Sequence, residues 1–260
     1  MTEALIVTFE NTIATISIND APMNRMSGAF MDELETLVAD IATDDSIRVL
    51  VLTAEGDRNF SVGMDLKQLP DLVKKMGNPD AVFDQRLRVL AAIENLGKPS
   101  IATLFGYCLG GGLELPLACH FRLAAQDGAQ IGLPELDLGA VPAWGGSARL
   151  TRCVGRDRAL DMILRAKKIS GPEALGIGLV QEVWPNSDLK QRAQDLAVEL
   201  AAMPRLAVKS MLDCIVGSEE KTLEQSLQDE RGATVVNRGT ADSREGMMAF
   251  MEKRKPVFNQ

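Results

Sequence analysis

The chain has 260 residues, a formal net charge of −8 and a hydrophobic content of 46%. This length allows one large domain or a domain with an appendage, and the apolar residues suffice to fill a substantial core. The acidic balance argues against a general nucleic-acid binder, and no apolar run reaches the roughly 18–20 residues that would cross a membrane.

The first part of the chain alternates predicted strands and helices. Leu5–Glu10 and Thr12–Ile18 alternate apolar and polar residues and predict a hairpin. Ser27 is placed to cap a helix whose apolar residues recur about every 3.6 positions. The next predicted elements are a buried strand over Arg48–Thr53, a glycine-containing loop over Glu55–Asp65 that leads into a helix, and an amphipathic helix over Asp80–Leu96 with Val82, Phe83, Leu87, Leu90 and Ile93 on its apolar face.

A glycine turn stands at the centre of the sequence. Ile101–Tyr107 predicts a buried strand, Leu113–Cys119 predicts an apolar helix, and Gly110–Gly112 joins them. Glu114 is the only charge in this apolar stretch, and a buried carboxylate is costly unless it is paired or protonated. Free N–H groups at a helix start beside such a carboxylate favour chemistry on a carbonyl that becomes an oxyanion. An ordinary turn followed by a solvated glutamate is the alternative.

The second part of the chain changes from alternating elements to helices alone. This shift predicts a domain boundary that separates residues 1–195 from residues 196–260. Recurring strand–helix units before it indicate a spiral of β-β-α turns. The predicted elements are a strand over Phe121–Ala125, a loop over Ile131–Leu136 carrying Glu135, helices ending near Val154 and over Ala159–Lys167, a helix capped by Ser170, a strand over Leu179–Trp184, and helices over Leu189–Ala202, Arg205–Val216, Leu223–Val236 and Ser243–Lys253.

Cysteine, histidine and the N-terminus restrict the chemistry and the location. The four cysteines lack metal-ligand spacing, and three stand in apolar surroundings as reduced thiols would. The single histidine, His120, excludes mechanisms that need two, and we interpret it as structural. The N-terminal segment Met1–Ala4 carries an acid where a signal peptide carries bases, so we expect a cytoplasmic protein.

Blocks of sequence along nearly the whole chain resemble the crotonase family, the enoyl-CoA hydratase/isomerase superfamily. The block around the glycine turn reads Gly-Tyr-Cys-Leu-Gly-Gly-Gly-Leu-Glu-Leu, and all the blocks follow the family's order and spacing. The blocks that carry the resemblance are Pro22–Ser27, Asn59–Leu66, Gly106–Leu115, Ile131–Gly139, Gly145–Arg152, Ser170–Val180 and Arg244–Lys255.

The resemblance implies an α/β fold of the ClpP/crotonase type. This fold is a spiral of repeated β-β-α units followed by a helical C-terminal segment that packs subunits into a homotrimer, often paired into a hexamer. The implied substrate is an acyl-CoA thioester, with coenzyme A as part of the substrate and no metal or redox cofactor. Backbone N–H groups of Met64 and Gly111 match the family's oxyanion hole, which binds the thioester carbonyl.

Two glutamates match the family's hydratases. Glu114 and Glu135 occupy the positions at which hydratases add water, reversibly and in the syn sense, to a 2-enoyl-CoA. One carboxylate would take a proton from water and the other would deliver a proton to Cα. The alternatives are an enoyl-CoA isomerase or another acyl-CoA lyase or decarboxylase of this family and, from another class, a non-catalytic binding protein.

Further residues match positions that contact the substrate in relatives. Trp144 departs from the family pattern and is expected to narrow the acyl pocket. For Arg25, Asp65 and Lys253, a solvated surface role, a helix cap and a helix C-terminus remain alternatives. The implied substrate-binding residues are Arg25, Val62, Gly63, Asp65, Leu66, Gly110, Trp144, Phe250 and Lys253.

Overall fold

The computed structural model describes residues 3–260, whose strands form two sheets. Met1 and Thr2, part of the N-terminal segment considered for a signal peptide, lie outside the described residues. The larger sheet has the spatial order β1 (Leu5–Glu10), β2 (Ile13–Ile18), β3 (Val49–Ala54), β4 (Ser100–Leu104), β6 (Phe121–Ala125) and β8 (Glu182–Trp184), and the smaller sheet pairs β5 (Tyr107–Leu109) with β7 (Gln130–Gly132).

Burial on both faces explains the composition of the central strands. β1 and β2 form the predicted antiparallel hairpin, whereas the other neighbouring strands of the larger sheet run parallel. Every residue of β3 and β4 is buried, and their valine, isoleucine and leucine side chains suit a parallel sheet that is covered on both sides. The parallel ends of these strands bring the following loops to one edge of the sheet.

Helices cover the sheets and then continue alone to the C-terminus. The hydroxyl of Ser27 accepts from Phe30 N at 3.0 Å, which confirms the predicted cap. No helix within residues 3–260 is long and apolar enough to cross a membrane. The helices are α1 (Gly28–Thr43), α2 (Leu69–Met76), α3 (Pro79–Glu94), α4 (Gly111–Leu117), α5 (Gly146–Val154), α6 (Arg156–Leu164), α7 (Gly171–Gly176), α8 (Asn186–Ala201), α9 (Arg205–Gly217), α10 (Leu223–Asn237) and α11 (Ala241–Glu252).

The single strand predicted over Ile101–Tyr107 is wrong in one respect. The chain leaves the larger sheet after β4 and turns at Gly106, whose φ of +52° is a left-handed conformation. Tyr107 then begins β5 in the smaller sheet. Its partner β7 lies partly in the segment predicted as a loop, because a strand of three residues leaves little signal in the sequence.

The apolar face predicted for α3 is also partly wrong. Leu87 is 40% exposed, whereas Gln85 and Arg86 are buried together with Val82, Leu90 and Ile93. The helix is therefore rotated so that two polar side chains face inward. The consequence is a buried guanidinium close to the glycine turn.

The predicted division of the chain at residue 195 falls inside α8. Leu189, Ala193 and Leu196 of this helix are buried, and α8 packs across β3, β4 and β6. Residues that cover the sheet therefore extend to Ala201. The division into a core and an oligomerisation segment stays a prediction, as does the cytoplasmic location.

His120 is half-buried beside Ser100, and two of the four cysteines are buried. His120 Nδ1 is 2.7 Å from Ser100 Oγ, and burial lowers the pKa of His120, which favours the neutral ring. His120 lies beyond the end of α4 at Leu117. Cys108 and Cys119 are buried free thiols, while Cys153 and Cys214 are half-buried.

Candidate active site

Each of the three consecutive glycines at the start of α4 makes room for a different wall of one site. A Cβ on Gly110 would stand 3.0 Å from Glu135 Oε1, and a Cβ on Gly111 would overlap the indole of Trp144. A Cβ on Gly112 would overlap the carbonyl oxygen of Ser61. The sequence Gly-Gly-Gly is therefore required by close approach from three sides, and not only by the turn.

Glu114 follows these glycines and is fixed by the start of another helix. Its side chain is 2% exposed, and Oε1 accepts from Trp144 N at 2.7 Å and from Gly146 N at 2.9 Å. Gly146 begins α5, so the positive end of that helix faces the carboxylate. A Cβ on Gly146 would stand 2.8 Å from Glu114 Oε1, which explains the second glycine turn.

Burial dominates the electrostatics of Glu114. It raises the pKa of this carboxyl to about 7, because the charged form loses its contact with water. The N–H groups of Trp144 and Gly146 lower the pKa in part, and the neighbouring charge of Glu135 raises it further. Glu114 is therefore able to exchange a proton near neutral pH.

Glu135 lies against the same glycine turn. It begins a 3₁₀ turn, Glu135–Leu138, that follows β7 and Pro134. Its Oε2 is buried with no hydrogen-bond partner among residues 3–260, and burial raises the pKa of this carboxyl. Burial without a donor on Oε2 favours the protonated form of Glu135. The structure thus places Glu135 against Gly110 and close enough to Glu114 for its charge to raise the pKa of Glu114.

Two backbone N–H groups beside the glycine turn, those of Gly111 and Met64, donate to no acceptor in the described part of the chain. Gly111 is the first residue of α4, so its N–H has no partner inside the helix. Met64 N donates to no acceptor in the described part of the chain, although its neighbours Gly63 and Asp65 exchange bonds with Met26. A Cβ on Gly63 would stand 3.1 Å from Gly111 N, so the two segments are in contact.

The remaining residues predicted near the oxyanion hole have mixed surroundings. Asp65 accepts from Lys67 N at 3.2 Å and caps the 3₁₀ turn Leu66–Gln68, as its alternative role requires. Val62 N donates to Met23 O, and Leu66 is 57% exposed. These side chains stand beside Met64 on the loop that follows β3.

Three other predicted binding residues, Arg25, Phe250 and Lys253, are exposed in the single chain. Arg25 forms an exposed pair with Asp20, in which Nε is 2.7 Å from Oδ2. Phe250 is 81% exposed on α11, and Lys253 ends that helix in a left-handed conformation. Their roles in binding stay predictions.

The donors that hold Glu114 could not be read from its own surroundings in the sequence. Trp144 N and Gly146 N are distant along the chain, and only the glycine turn at Gly145 and Gly146 signals that a helix start is free to bind an anion. The Trp144 ring lies against Gly111, and its effect on the width of an acyl pocket stays a prediction.

Comparisons with known proteins agree with this geometry. A family model described as enoyl-CoA hydratase/isomerase matches residues 8–260. A Bacillus subtilis protein named "Probable enoyl-CoA hydratase" is 36% identical over 98% of both chains, and the "Short-chain-enoyl-CoA hydratase" of Clostridium acetobutylicum is 31% identical over 96% of this chain and 95% of its own. The crystal structure of an enoyl-CoA hydratase from Bacillus anthracis superposes with a TM-score of 0.91, at 33% identity and 98% coverage of both chains.

Proposed function

The chain belongs to the enoyl-CoA hydratase/isomerase family of enzymes, and we propose that it adds water to the double bond of a 2-enoyl-CoA thioester. One observation carries the proposal. Two carboxyl groups with raised pKa, the buried Glu114 and the half-buried Glu135, lie beside the glycine turn that presents a spare N–H. Acid and base on either side of an activated carbonyl are what hydration needs.

The oxyanion hole of the proposal consists of the N–H groups of Met64 and Gly111. Both would donate to the thioester oxygen and stabilise the negative charge that develops when water attacks. Removal of one such donor costs about 3–4 kcal/mol in known oxyanion holes. The absence of a side chain on Gly63 lets its segment lie against Leu109 O and Gly111 N, which keeps the two donors close together.

The surroundings of the two carboxyl groups divide their roles. Glu114, held by two N–H donors, is the base that takes a proton from water as the water oxygen bonds to C3. Glu135, with no donor on Oε2, is the acid that delivers a proton to C2. The product is a 3-hydroxyacyl-CoA, and the reverse reaction uses the same groups with their roles exchanged. The proposal assigns no step to a metal or a redox cofactor.

Exposed apolar residues on the C-terminal helices support a second part of the proposal. Phe250, Met251 and Met247 on α11 are all more than half exposed in the single chain. Burial of this surface between copies would stabilise a homotrimer or a hexamer. In such an assembly, Phe250 and Lys253 would be placed to contact the coenzyme A bound by a neighbouring subunit.

Hydration of crotonyl-CoA, followed by loss of the enoyl absorbance, tests the proposed reaction. We expect Glu114→Gln and Glu135→Gln each to lower kcat by roughly 10²–10⁴-fold, because each removes one proton-transfer group. The double variant should lose little more than the worse single variant, since the two groups act as a unit. Asp137→Asn, an exposed carboxylate in the same 3₁₀ turn, is the control and should retain the rate of the unaltered chain.

Three results would contradict the proposal. The double variant with an unaltered rate would exclude the glutamates as acid and base. Turnover of a 3-enoyl or malonyl-type thioester without hydration of crotonyl-CoA would favour an isomerase or a decarboxylase. Salt-dependent RNA binding without any thioester turnover would favour a binding protein.

A further inference from the structure

Arg86 on α3 is a buried guanidinium with two unused nitrogens. The residue is 1% exposed. Its Nη1 donates to Val82 O at 3.0 Å and to Gln85 Oε1 at 2.8 Å. Nε and Nη2 are buried and have no hydrogen-bond partner among residues 3–260. A buried donor that is left unpaired is costly, and a buried charge costs more.

The two unpaired nitrogens of Arg86, Nε and Nη2, are the pair with which other arginines of this chain bind carboxylates. Arg149 places Nε and Nη2 at 3.2 and 2.7 Å from the Glu94 carboxylate. Arg192 places the same two nitrogens at 2.8 and 2.9 Å from the Glu182 carboxylate. This side-on fork matches two carboxylate oxygens. In Arg86 the fork is complete in geometry but holds nothing from the protein.

The side chain of Gln85 separates Arg86 from the acidic side chains of Asp32 and Glu35. Gln85 Nε2 donates to Asp32 at 2.8 Å and to Glu35 at 2.9 Å, while Gln85 Oε1 accepts from Arg86. Asp32 and Glu35 are therefore linked to Arg86 through the Gln85 amide, and neither forms an ion pair with it in the described part of the chain. Burial lowers the pKa of Arg86, and Asp32 and Glu35 raise it only in part. The guanidinium is left without a direct counter-charge.

The position of Arg86 connects it to the candidate active site. Its Cζ lies 5.9 Å from the centroid of the Trp144 ring, within the range of a cation–π contact. The same ring lies against Gly111, the proposed oxyanion donor, and Trp144 N holds Glu114. An acyl group with its carbonyl at Gly111 would therefore have Trp144 beside it and Arg86 next to that ring.

We propose that Arg86 is a specificity-determining residue that binds a second carboxylate on the acyl group. The substrate class is then the mono-CoA thioester of an unsaturated dicarboxylic acid, with the free carboxylate accepting from Nε and Nη2. This inference rests on the proposed hydration, which it deepens by naming the acyl group. It also accounts for a cation that is buried without a partner, since the substrate supplies the counter-charge.

Matched pairs of enoyl-CoA substrates test the inference on the unaltered chain. The pairs are 2-pentenoyl-CoA with glutaconyl-CoA, 2-hexenoyl-CoA with 2-hexenedioyl-CoA, and 2-heptenoyl-CoA with 2-heptenedioyl-CoA. At one of these lengths we expect kcat/KM for the dicarboxylic member to exceed that of its partner by at least about 30-fold, as a buried hydrogen-bonded charge pair warrants. A preference for the monocarboxylic member at every length would overturn the inference but leave the hydration proposal standing.

Variants of Arg86 then test whether that residue carries the preference. We expect Arg86→Met to abolish the preference and Arg86→Lys to keep part of it, because lysine retains the charge but not the fork. Arg88→Met, an exposed neighbour that pairs with Glu35 at 3.0 Å, is the matched control and should keep the full preference.

The outcomes separate this inference from the proposal on which it rests. Equal losses on both members of a pair in Arg86→Met would assign Arg86 a structural role and overturn the inference. If Arg86→Met does not fold, the substrate pairs with the unaltered chain and with Arg86→Lys decide. Hydration of no member of any pair would overturn the proposed function itself.

Discussion

The sheet core and the C-terminal helices obtain their stability in different ways. Every residue of β3 and β4 is buried. By contrast, α9 and α10 contain no buried residue among those described, and α11 contains only Ala249. The core thus buries its apolar surface within one chain, whereas the helices leave theirs open. The large apolar side chains exposed on these helices include Met211, Ile215, Leu227, Val235, Val236, Met247, Met248, Phe250 and Met251.

A single chain is therefore sufficient to bury the apolar surface of the sheet core, whereas a second copy is expected to cover that of the C-terminal helices. The candidate site belongs to the self-sufficient region, because its glycines, carboxylates and spare N–H groups are positioned by β5, β7, α4 and α5. The helices carry the residues that the family resemblance assigns to a neighbouring site. The same chemical change should therefore have different effects in the two regions.

Gly106→Ala should have the largest effect on stability, and it tests how tightly the sheet core is packed. A Cβ on Gly106 would overlap the carbonyl of Arg58, and the residue has a φ of +52°. We expect the unfolding free energy to fall by more than about 4 kcal/mol, because backbone strain adds to the overlap. Urea unfolding at one fixed protein concentration measures it. A loss below about 1 kcal/mol would contradict the tight packing described here.

The sequence predicts those parts of the fold that depend on neighbours along the chain. The hairpin around Asn11 and the cap at Ser27 follow from a few adjacent residues. The pairing of Tyr107 with Gln130 does not, because both strands have three residues and meet only through long-range packing. Local signals therefore identify the elements well but cannot assign Tyr107 to a second sheet.

The same limit applies to the candidate site. Glu114 is conspicuous as a lone charge in an apolar stretch, so its burial is predictable, but the N–H groups that hold it are not. Arg86 is missed because a charged residue in an amphipathic helix is assigned to the solvent face. Only the packing of α3 against Trp144 shows that Arg86 is inside.

Between pH 5 and pH 8, a carboxyl group of the core should change the unfolding free energy by about 3 kcal/mol, whereas one of the C-terminal helices should not change it. Burial raises the pKa of Glu114 in the core from 4.5 to about 7, so the folded state keeps a proton that the unfolded state releases. This stability is complete below about pH 4.5 and is lost as the pH rises through 7, a change of roughly 3 kcal/mol. Glu114→Gln should reduce this slope in urea unfolding measured from pH 5 to pH 8, and what remains belongs to other shifted groups such as Glu135 and His120.

A carboxylate of the C-terminal region provides the control for that slope. The guanidinium of Arg254 lowers the pKa of Glu245 to about 2, so its contribution is present above the unfolded value near 4.5 and is lost only as the pH falls towards 2. Glu245→Gln should therefore leave the slope between pH 5 and pH 8 unchanged. A slope of the same size in Glu114→Gln would contradict the assignment to Glu114.

Gly232→Ala should have the smallest effect, and its sign should be opposite to that of Gly106→Ala. Gly232 lies within α10, and apart from its chain neighbours and the backbone of its own helix no atom of residues 3–260 lies within 4 Å of the position that its Cβ would take. Alanine should raise the unfolding free energy by about 0.5–1 kcal/mol, because glycine loses more backbone freedom in a helix. Urea unfolding over a range of protein concentrations measures it. A loss of stability that increases with protein concentration would contradict an open position, because it would show that a second copy covers this part of α10. The sign of the change in unfolding free energy therefore distinguishes a free helix face from a buried one.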